Sequence, residues 1–241
     1  EPLGTGGAIR NAAKLLSGAE EIAIFNGDVL SSHDLNSQIA LHKRTSADVT
    51  LHLTEVSDAR AYGCVPTDEA GQVKAFLEKM DNPIAKTINA GCYILTSNVV
   101  AAIKPGEVVS VERETFPKLL ESGARVTGFV DSQYWIDMGT PQSLIQASRD
   151  LILEPGRTSL RTGATNGSLI STGAKVDTTA RIGEGSCIED GAVIGVGAII
   201  SGSIISAGAK IEAGAVIIDS FIAPNTRVIS GSSLNNAIFG Y

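Results

Sequence analysis

The hydrophobic pattern of the chain changes character near residue 156. Before it, short apolar runs alternate with stretches of helical period. Ile22 to Asn26 runs without polar alternation, which predicts a buried strand of the kind found in parallel sheets covered on both faces. Val49, Leu51 and Leu53 alternate with polar residues and predict a half-buried strand. Tyr62 to Val65 and Val73 to Lys79 read as two strands around the turn Asp68-Glu69-Ala70-Gly71, followed by Asn89 to Leu95 and Arg125 to Val130. Helices are predicted over Ala8 to Leu16, with Ile9, Ala13 and Leu16 on one stripe, from Asp34 to about Lys43, and near Glu114 to Leu120. Another starts at Pro141, with Thr140 as its N-cap and Leu144, Ala147 and Leu151 as its stripe. Strands alternating with helices in this way mean an α/β domain over residues 1–153.

From Gly156 onward the vocabulary is that of strands and turns, with 14 Ile against three Leu and 14 Gly. Ile170, Val176, Ile182, Ile188, Ile194 and Ile200 fall six residues apart, and a small residue follows each of the first five by four: Ala174, Ala180, Ser186, Ala192, Ala198. The register then slips to Ile205, Ile211 and Ile217, and again to Ile222, Val228 and Leu234, which preserves a longer period of 17. A hexapeptide period predicts a parallel β-helix in which three short strands make one coil, with large aliphatics inside and small residues at the corners. Such helices often belong to acyltransferases that use a histidine base. The last histidine here is His52, far upstream, so a structural or oligomerising role is expected.

Composition narrows the partners. The 241 residues carry a net charge of −7, which argues against nucleic acid or an anionic membrane while leaving a nucleotide open. No apolar run reaches membrane-spanning length, and the amino terminus lacks the plan of a signal peptide. Cys64, Cys92 and Cys187 are widely spaced and odd in number, which suggests neither a disulfide frame nor a zinc site. A reduced cytoplasmic setting is expected.

Candidate chemistry lies in the first part. Gly27 lets the chain turn, and Asp28 then places a carboxylate beyond a strand's carboxyl end, where open α/β sheets bind ligands. Asp137, in Trp135-Ile136-Asp137-Met138-Gly139-Thr140-Pro141, offers a second. Two carboxylates, with substrate phosphates completing the shell, are a usual Mg²⁺ arrangement, although either aspartate alone also fits a turn cap. Glu1-Pro2-Leu3-Gly4-Thr5-Gly6-Gly7 reads as a glycine-rich loop ahead of a helix, which permits close approach to a ligand. Glu78 and Lys79 could meet a polyol hydroxyl and a phosphate, although without context an exposed ion pair is the favoured reading. His33, His42 and His52 lie outside these motifs and read as surface or strand residues.

Leu3-Gly4-Thr5-Gly6-Gly7, Asn26-Gly27-Asp28, Tyr62-Gly63, Phe76-Leu77-Glu78-Lys79, Asn89-Ala90-Gly91 and Trp135 to Pro141 occur in that order. Together they resemble the sugar-1-phosphate nucleotidyltransferases, most closely the mannose-1-phosphate guanylyltransferase branch. The resemblance implies a Rossmann-like, mostly parallel α/β nucleotidyltransferase domain (1–153), truncated at its amino end, a linker (154–167) and a left-handed parallel β-helix of hexapeptide repeats (168–241). It implies that Gly4, Thr5 and Gly6 meet the base, and that Asp28 and Asp137 hold Mg²⁺. Asn26 and Gly27 would line the substrate site. Gly91 and Trp135 would line it too, while the Tyr62-Gly63 backbone, Glu78 and Asn89 would meet the sugar and Lys79 its phosphate, with Asp28, Lys79 and Asp137 as the catalytic groups. The implied reaction passes GMP from GTP to mannose 1-phosphate and gives GDP-mannose. Glucose 1-phosphate with a thymidylyl or adenylyl donor, or a non-catalytic regulatory subunit, are the alternatives. A homo-oligomer is expected from the flat faces and apolar end of the β-helix.

One departure accompanies the matches. The family's G-G-x-G-T-R-L-x-P-L loop has no counterpart in these residues, so the chain reads as a fragment whose triphosphate loop would precede Glu1. The 241 residues alone are expected to be inactive.

Overall fold

In the computed structural model, residues 1–16, 18–77, 79–157 and 163–240 are described. Residue contacts divide the chain into two units, Glu1–Trp135 and Ile136–Tyr241.

The strands of the first unit are β1 (Glu21–Phe25), β2 (Val29–Ser31), β3 (Val49–Glu55), β4 (Thr87–Thr96) and β5 (Val126–Val130), and β6 (Trp135–Asp137) begins at its end. The main sheet has the order β1-β4-β3-β5. β3 and β5 pair in parallel, while β4 is antiparallel to both β1 and β3. Three of the four strands therefore share a direction, and their carboxyl ends open on the same edge of the sheet. β1 is an edge strand of this sheet, with Ile22 buried but Phe25 56% exposed, where the unbroken apolar run predicts cover on both faces. β3 differs in the opposite sense. Its alternation predicts one wet face, yet every residue from Val49 to Thr54 is buried. Val49, Leu51 and Leu53 join the main core with Tyr93, Leu95, Phe116 and Val126, and the polar face of the strand lies under a helix.

That helix is α2 (Leu35–Thr45), capped by Asp34, whose carboxylate accepts the Ser37 N–H at 3.1 Å. Its buried face is Gln38 and His42, not an aliphatic stripe. Gln38 Nε2 donates to the Thr50 carbonyl at 3.2 Å, and His42 Nδ1 lies 2.8 Å from Thr50 Oγ1. His33 stacks on His52 with ring centroids 4.0 Å apart. The expectation of surface or strand histidines is thus corrected for His42, a buried helical residue. The sheet supplies Thr50 and His52 as polar partners that no local pattern announces.

α1 (Gly4–Ala12) begins earlier than its periodicity predicts and continues as a 3₁₀ turn, Ala13–Leu15. The glycines expected to form an open loop are its first turns, because the backbone of residues 107–109 packs directly on them. A Cβ on Gly4 would lie 2.6 Å from the Val109 carbonyl oxygen, and one on Gly7 would lie 2.5 Å from that of Glu107. The remaining helices of this unit are α3 (Ser97–Ala102) and α4 (Phe116–Glu121), the latter preceded by a π-helical turn, Val111–Thr115, where a regular helix start is predicted. The predicted hairpin is present as isolated bridges, Cys64 to Leu77 and Thr67 to Val73. Among the described residues no helix is long and apolar enough to cross a membrane.

The second unit opens with α5 (Pro141–Leu153), whose Thr140 Oγ1 caps the Ser143 N–H at 3.2 Å as predicted. The sequence pattern groups α5 with the first domain, whereas its contacts lie with the β-helix. Arg149 donates to the Gly202 carbonyl at 3.5 Å and pairs with Asp219. Ile145, Ala147 and Ile152 are the buried residues of this helix, while Leu144 is 39% exposed. Leu144 faces Phe221 and Ile238 across a cavity of about 240 Å³.

The β-helix follows the predicted repeat. Leu169, Cys187, Ile204, Phe221 and Ile238 pair side by side in parallel strands, so the coil shortens from 18 to 17 residues after its first turn. Their inward neighbours stack coil on coil: Ile188, Ile205 and Ile222 are at most 1% exposed, while the terminal Ile170 and Phe239 stand open at 40% and 39%. Ser203 and Ser220 recur at one corner, where Ser203 Oγ accepts the Ser220 N–H at 3.0 Å and Ser220 Oγ accepts the Ala237 N–H at 3.0 Å. The hydroxyls of Ser203 and Ser220 are thereby satisfied in register, whereas the buried Ser186 Oγ one coil earlier has no partner. Ile205 is fully buried between two coils, so Ile205→Ala should cost about 2–5 kcal/mol. Urea denaturation followed by far-UV circular dichroism checks this, and a loss under 1 kcal/mol would contradict the packing described.

Candidate functional site

The shared edge at the carboxyl ends of β1, β3 and β5 gathers most of the residues singled out by sequence. Asn26 follows β1 directly, and its N–H donates to the Gly91 carbonyl at 2.8 Å. Because β4 runs against its neighbours, its amino end reaches the same edge, and Asn89 there lies opposite Leu53 of β3. Gly91 has φ +79°, and a Cβ on it would meet the Asn26 side chain at 2.9–3.1 Å. Glycine is required twice over, for the backbone angle and for the close approach. Gly91→Ala should displace Asn26 and cost about 1–2 kcal/mol from the left-handed backbone alone. A melting curve together with an activity assay checks it, and unchanged values in both would contradict it.

Two residues that sequence reasoning missed complete this corner. Asn89 Nδ2 donates to the Tyr93 hydroxyl at 2.9 Å and to Glu112 Oε1 at 2.5 Å, while its Oδ1 accepts the Gly91 N–H at 3.1 Å. The Tyr93 hydroxyl in turn donates to Glu112 Oε1 at 3.4 Å. Tyr93 is 3% exposed, and burial, assisted by the Glu112 carboxylate, pushes its phenol well above the usual range, so it remains a donor. Asn89 and Tyr93 are four apart on one strand, so the period of two places them on one face. That signal was available in the sequence. Glu112 comes from a distant turn and carries none.

The segment bearing Glu112 is tied to the glycine stretch. Val109 N–H donates to the Leu3 carbonyl at 2.9 Å and Gly6 N–H to the Val109 carbonyl at 2.8 Å, and Val111 N–H reaches Thr5 Oγ1 at 3.0 Å. Gly4, Thr5 and Gly6 thus stand beside the Asn89 corner, with Gly6 buried and Gly4 and Thr5 exposed.

A second group lies on the other side of Ala90. Trp135 Nε1 donates to the Ala90 carbonyl at 2.9 Å, and the Tyr62 ring meets the Trp135 ring edge-on with centroids 5.7 Å apart. Gly63 is buried at φ +78°, its N–H bonded to the Ala59 carbonyl at 3.1 Å. Trp135 also walls a cleft of about 430 Å³ with Thr54, Glu55, Val130 and Asp131, beyond the carboxyl ends of β3 and β5. Tyr62, Gly63, Asn89, Gly91 and Trp135 are therefore brought together around one short piece of β4.

The remaining predicted residues are placed as follows. Asp28 is exposed in the turn after β1, beside the equally exposed Gly27, and Lys79 is exposed. Asp137 belongs to the second unit, and its Oδ1 accepts the Gly139 N–H at 2.7 Å. Glu78, assigned to the sugar from sequence, lies outside the described residues.

Comparison with known proteins gives the family. The family described as nucleotidyl transferase matches residues 1–154. The chain is 47% identical over 176 residues to the mannose-1-phosphate guanylyltransferase of Mycobacterium tuberculosis, covering 73% of this chain and 49% of that protein. It is 34% identical over 172 residues to probable mannose-1-phosphate guanylyltransferase 3 of Oryza sativa, covering 68% and 46%. The chain thus spans about half the length of these relatives. Among solved structures it resembles HddC from Yersinia pseudotuberculosis (TM-score 0.53, 32% identity, 61% of this chain and 62% of that one). It also resembles HddC complexed with GMP-PN (TM-score 0.52, 31% identity, the same coverage). With a family match over well more than half of the chain and a relative 47% identical over most of it, this chain belongs to the nucleotidyl transferase family.

Proposed function

We propose that the complete protein transfers GMP from GTP to mannose 1-phosphate, releasing pyrophosphate and giving GDP-mannose. The observation that carries this reading is the convergence of Tyr62, Gly63, Asn89, Gly91 and Trp135 around Ala90, next to the Gly4–Gly6 turn. The names of the relatives support the sugar phosphate, and the GMP-PN complex of HddC supports a guanine donor. In this reading Gly4, Thr5 and Gly6 meet the base, and Asn26 and Gly27 line the site. The sugar is held by the Ala90 group together with Glu78, and its phosphate by Lys79.

An oxygen of the sugar phosphate attacks the α-phosphorus of the nucleotide and pyrophosphate leaves, with no covalent enzyme intermediate. The chain's own task is to align the two substrates and to meet developing charge with fixed donors. Asp28 and Asp137 are the proposed Mg²⁺ ligands. Both supply carboxylate oxygens, the donor class this cation takes, and the Gly139 N–H orients the Asp137 carboxylate. When bound, Mg²⁺ supplies neutralisation of phosphate charge.

The test is a panel of nucleoside triphosphates against mannose and glucose 1-phosphates on the complete protein, read as pyrophosphate release. GDP-mannose as the preferred product supports the proposal. Turnover only with a thymidine or adenosine donor and glucose 1-phosphate would replace the substrate pair, and no turnover with any pair would point to a regulatory subunit.

A further inference from the structure

The Asn89 corner contains an exposed carboxylate that no motif accounts for. Glu112 Oε1 accepts one amide hydrogen of Asn89 at 2.5 Å, and the Tyr93 hydroxyl accepts the other at 2.9 Å. The Gly91 N–H requires the amide oxygen to stand on its own side, at 3.1 Å. A side-chain amide has two donor hydrogens and an oxygen with two lone pairs. Both hydrogens are spent here, as is one lone pair. What Asn89 can still offer a ligand is a single acceptor site on Oδ1.

Glu112 is also held from behind. Its turn is anchored by the Val111 N–H to Thr5 Oγ1 and, two residues earlier, by Val109 to Leu3 and Gly6. The carboxylate therefore sits on backbone fastened to the first turns of α1, and its reach to Asn89 joins that helix start to β4.

We propose that Glu112 is a positioning residue: by holding the Asn89 amide in one orientation, it makes Asn89 an obligate acceptor for a hydroxyl of the sugar phosphate and registers that acceptor against the Gly4–Gly6 turn. This rests on the functional reading given above. Removing Glu112 takes away one of the three bonds that hold the amide and leaves those to Gly91 and Tyr93, which loosens the acceptor, weakens the sugar phosphate and leaves the nucleotide alone, because the Val109 and Val111 bonds to α1 are made by backbone.

The test compares Glu112→Ala and Glu112→Gln in the complete protein. Glu112→Ala should raise KM for the sugar phosphate about 10-fold, the effect of one lost hydrogen bond to a charged group. KM for the nucleotide should stay within about twofold and the melting temperature should be unchanged, since Glu112 is exposed. Glu112→Gln keeps an oxygen acceptor for the amide of Asn89 and should restore most of the affinity. A second readout is independent of turnover: the side-chain ¹⁵N–¹H₂ signals of Asn89 should shift and broaden in Glu112→Ala and return in Glu112→Gln. An unchanged sugar-phosphate KM in Glu112→Ala, or unmoved Asn89 signals, would overturn the proposal. Should the wild type turn over no sugar phosphate, the functional reading fails by itself, and the Asn89 signals still decide whether Glu112 orients the amide.

Discussion

Asp28→Asn and Asp137→Asn should each lower turnover of the complete protein by about 10²-fold or more while leaving its melting behaviour intact. The substitution removes one negative charge at nearly constant volume, so packing has no reason to change. Asp28 is exposed after β1, and Asp137 makes a short-range turn bond to Gly139 that an amide oxygen can still accept. What is lost is a hard anionic ligand. Mg²⁺ takes few protein carboxylates and relies on each, and the charge it offsets is greatest as the phosphate transfers. Removing one preorganised electrostatic partner of a developing charge commonly costs about 10²–10³ in rate. Steady-state kinetics over a Mg²⁺ titration checks the assignment. A variant that recovers wild-type turnover at high Mg²⁺ has lost affinity only, and one that is unaffected throughout shows that the carboxylate merely caps its turn.

The second large effect is acid destabilisation of the first unit. His52 is 1% exposed, and burial, with the neighbouring His33, lowers its pKa from 6.5 to about 4. Asp131 acts in the opposite sense without cancelling this. The ring stacks on His33 and lies near Phe129, and its Nδ1 has no hydrogen-bond partner. A cation there has nothing to replace its water. His42, packed against Thr50, is lowered as well, by burial first and Lys43 last, against the pull of Glu21 and Asp48. Above pH 6.5 both states carry neutral rings, so the histidines set no slope. As pH falls from about 6.5 to about 4 the unfolded chain binds protons that the folded unit refuses, and stability declines with them. For His52 alone the decline sums to about 3 kcal/mol, at 1.4 kcal/mol per unit. The β-helix contains no histidine, so its own transition should not move between pH 6.5 and 5. Urea melts of the first unit across this range check the slope. His52→Gln should flatten it, and an unchanged slope in that variant would reassign the effect.

The histidine interface shows where reading the chain alone runs out. His33, His42 and His52 carry no motif, and each taken singly is an ordinary polar residue. His42 and His52 become buried because α2 turns Gln38 and His42 toward β3 and β3 is covered on both faces, while the half-buried His33 stacks on His52. Alternation of Val49, Leu51 and Leu53 records only which side chains share a face. It cannot record whether the other face is wet, since that depends on what the rest of the chain lays over it.

The same limit shapes the candidate site. Asn26, Tyr62, Gly63, Asn89, Gly91 and Trp135 were legible as short motifs in the order that a family resemblance supplies, and the structure shows why a particular residue is needed at some of these places. Gly91 illustrates it, since its φ and its fit against Asn26 tolerate no side chain. Glu112 was not legible. Its partner Asn89 lies 23 residues away, and a glutamate on a turn looks like any solvated charge.

The sequence by itself determined the β-helix almost completely. A six-residue period is a local rule repeated, each coil burying its isoleucines on the next, so the positions of Ile188, Ile205 and Ile222 follow from spacing alone. It also determined the α/β character of the first unit. Only the tertiary structure decided that the glycines of residues 4–7 are helix turns packed on residues 107–109, that β1 stands at a sheet edge, and that Tyr93 and Glu112 both hydrogen-bond Asn89. Those facts arise from contacts between segments far apart in the chain, and no periodicity or motif encodes which distant segment fills the space beside a residue.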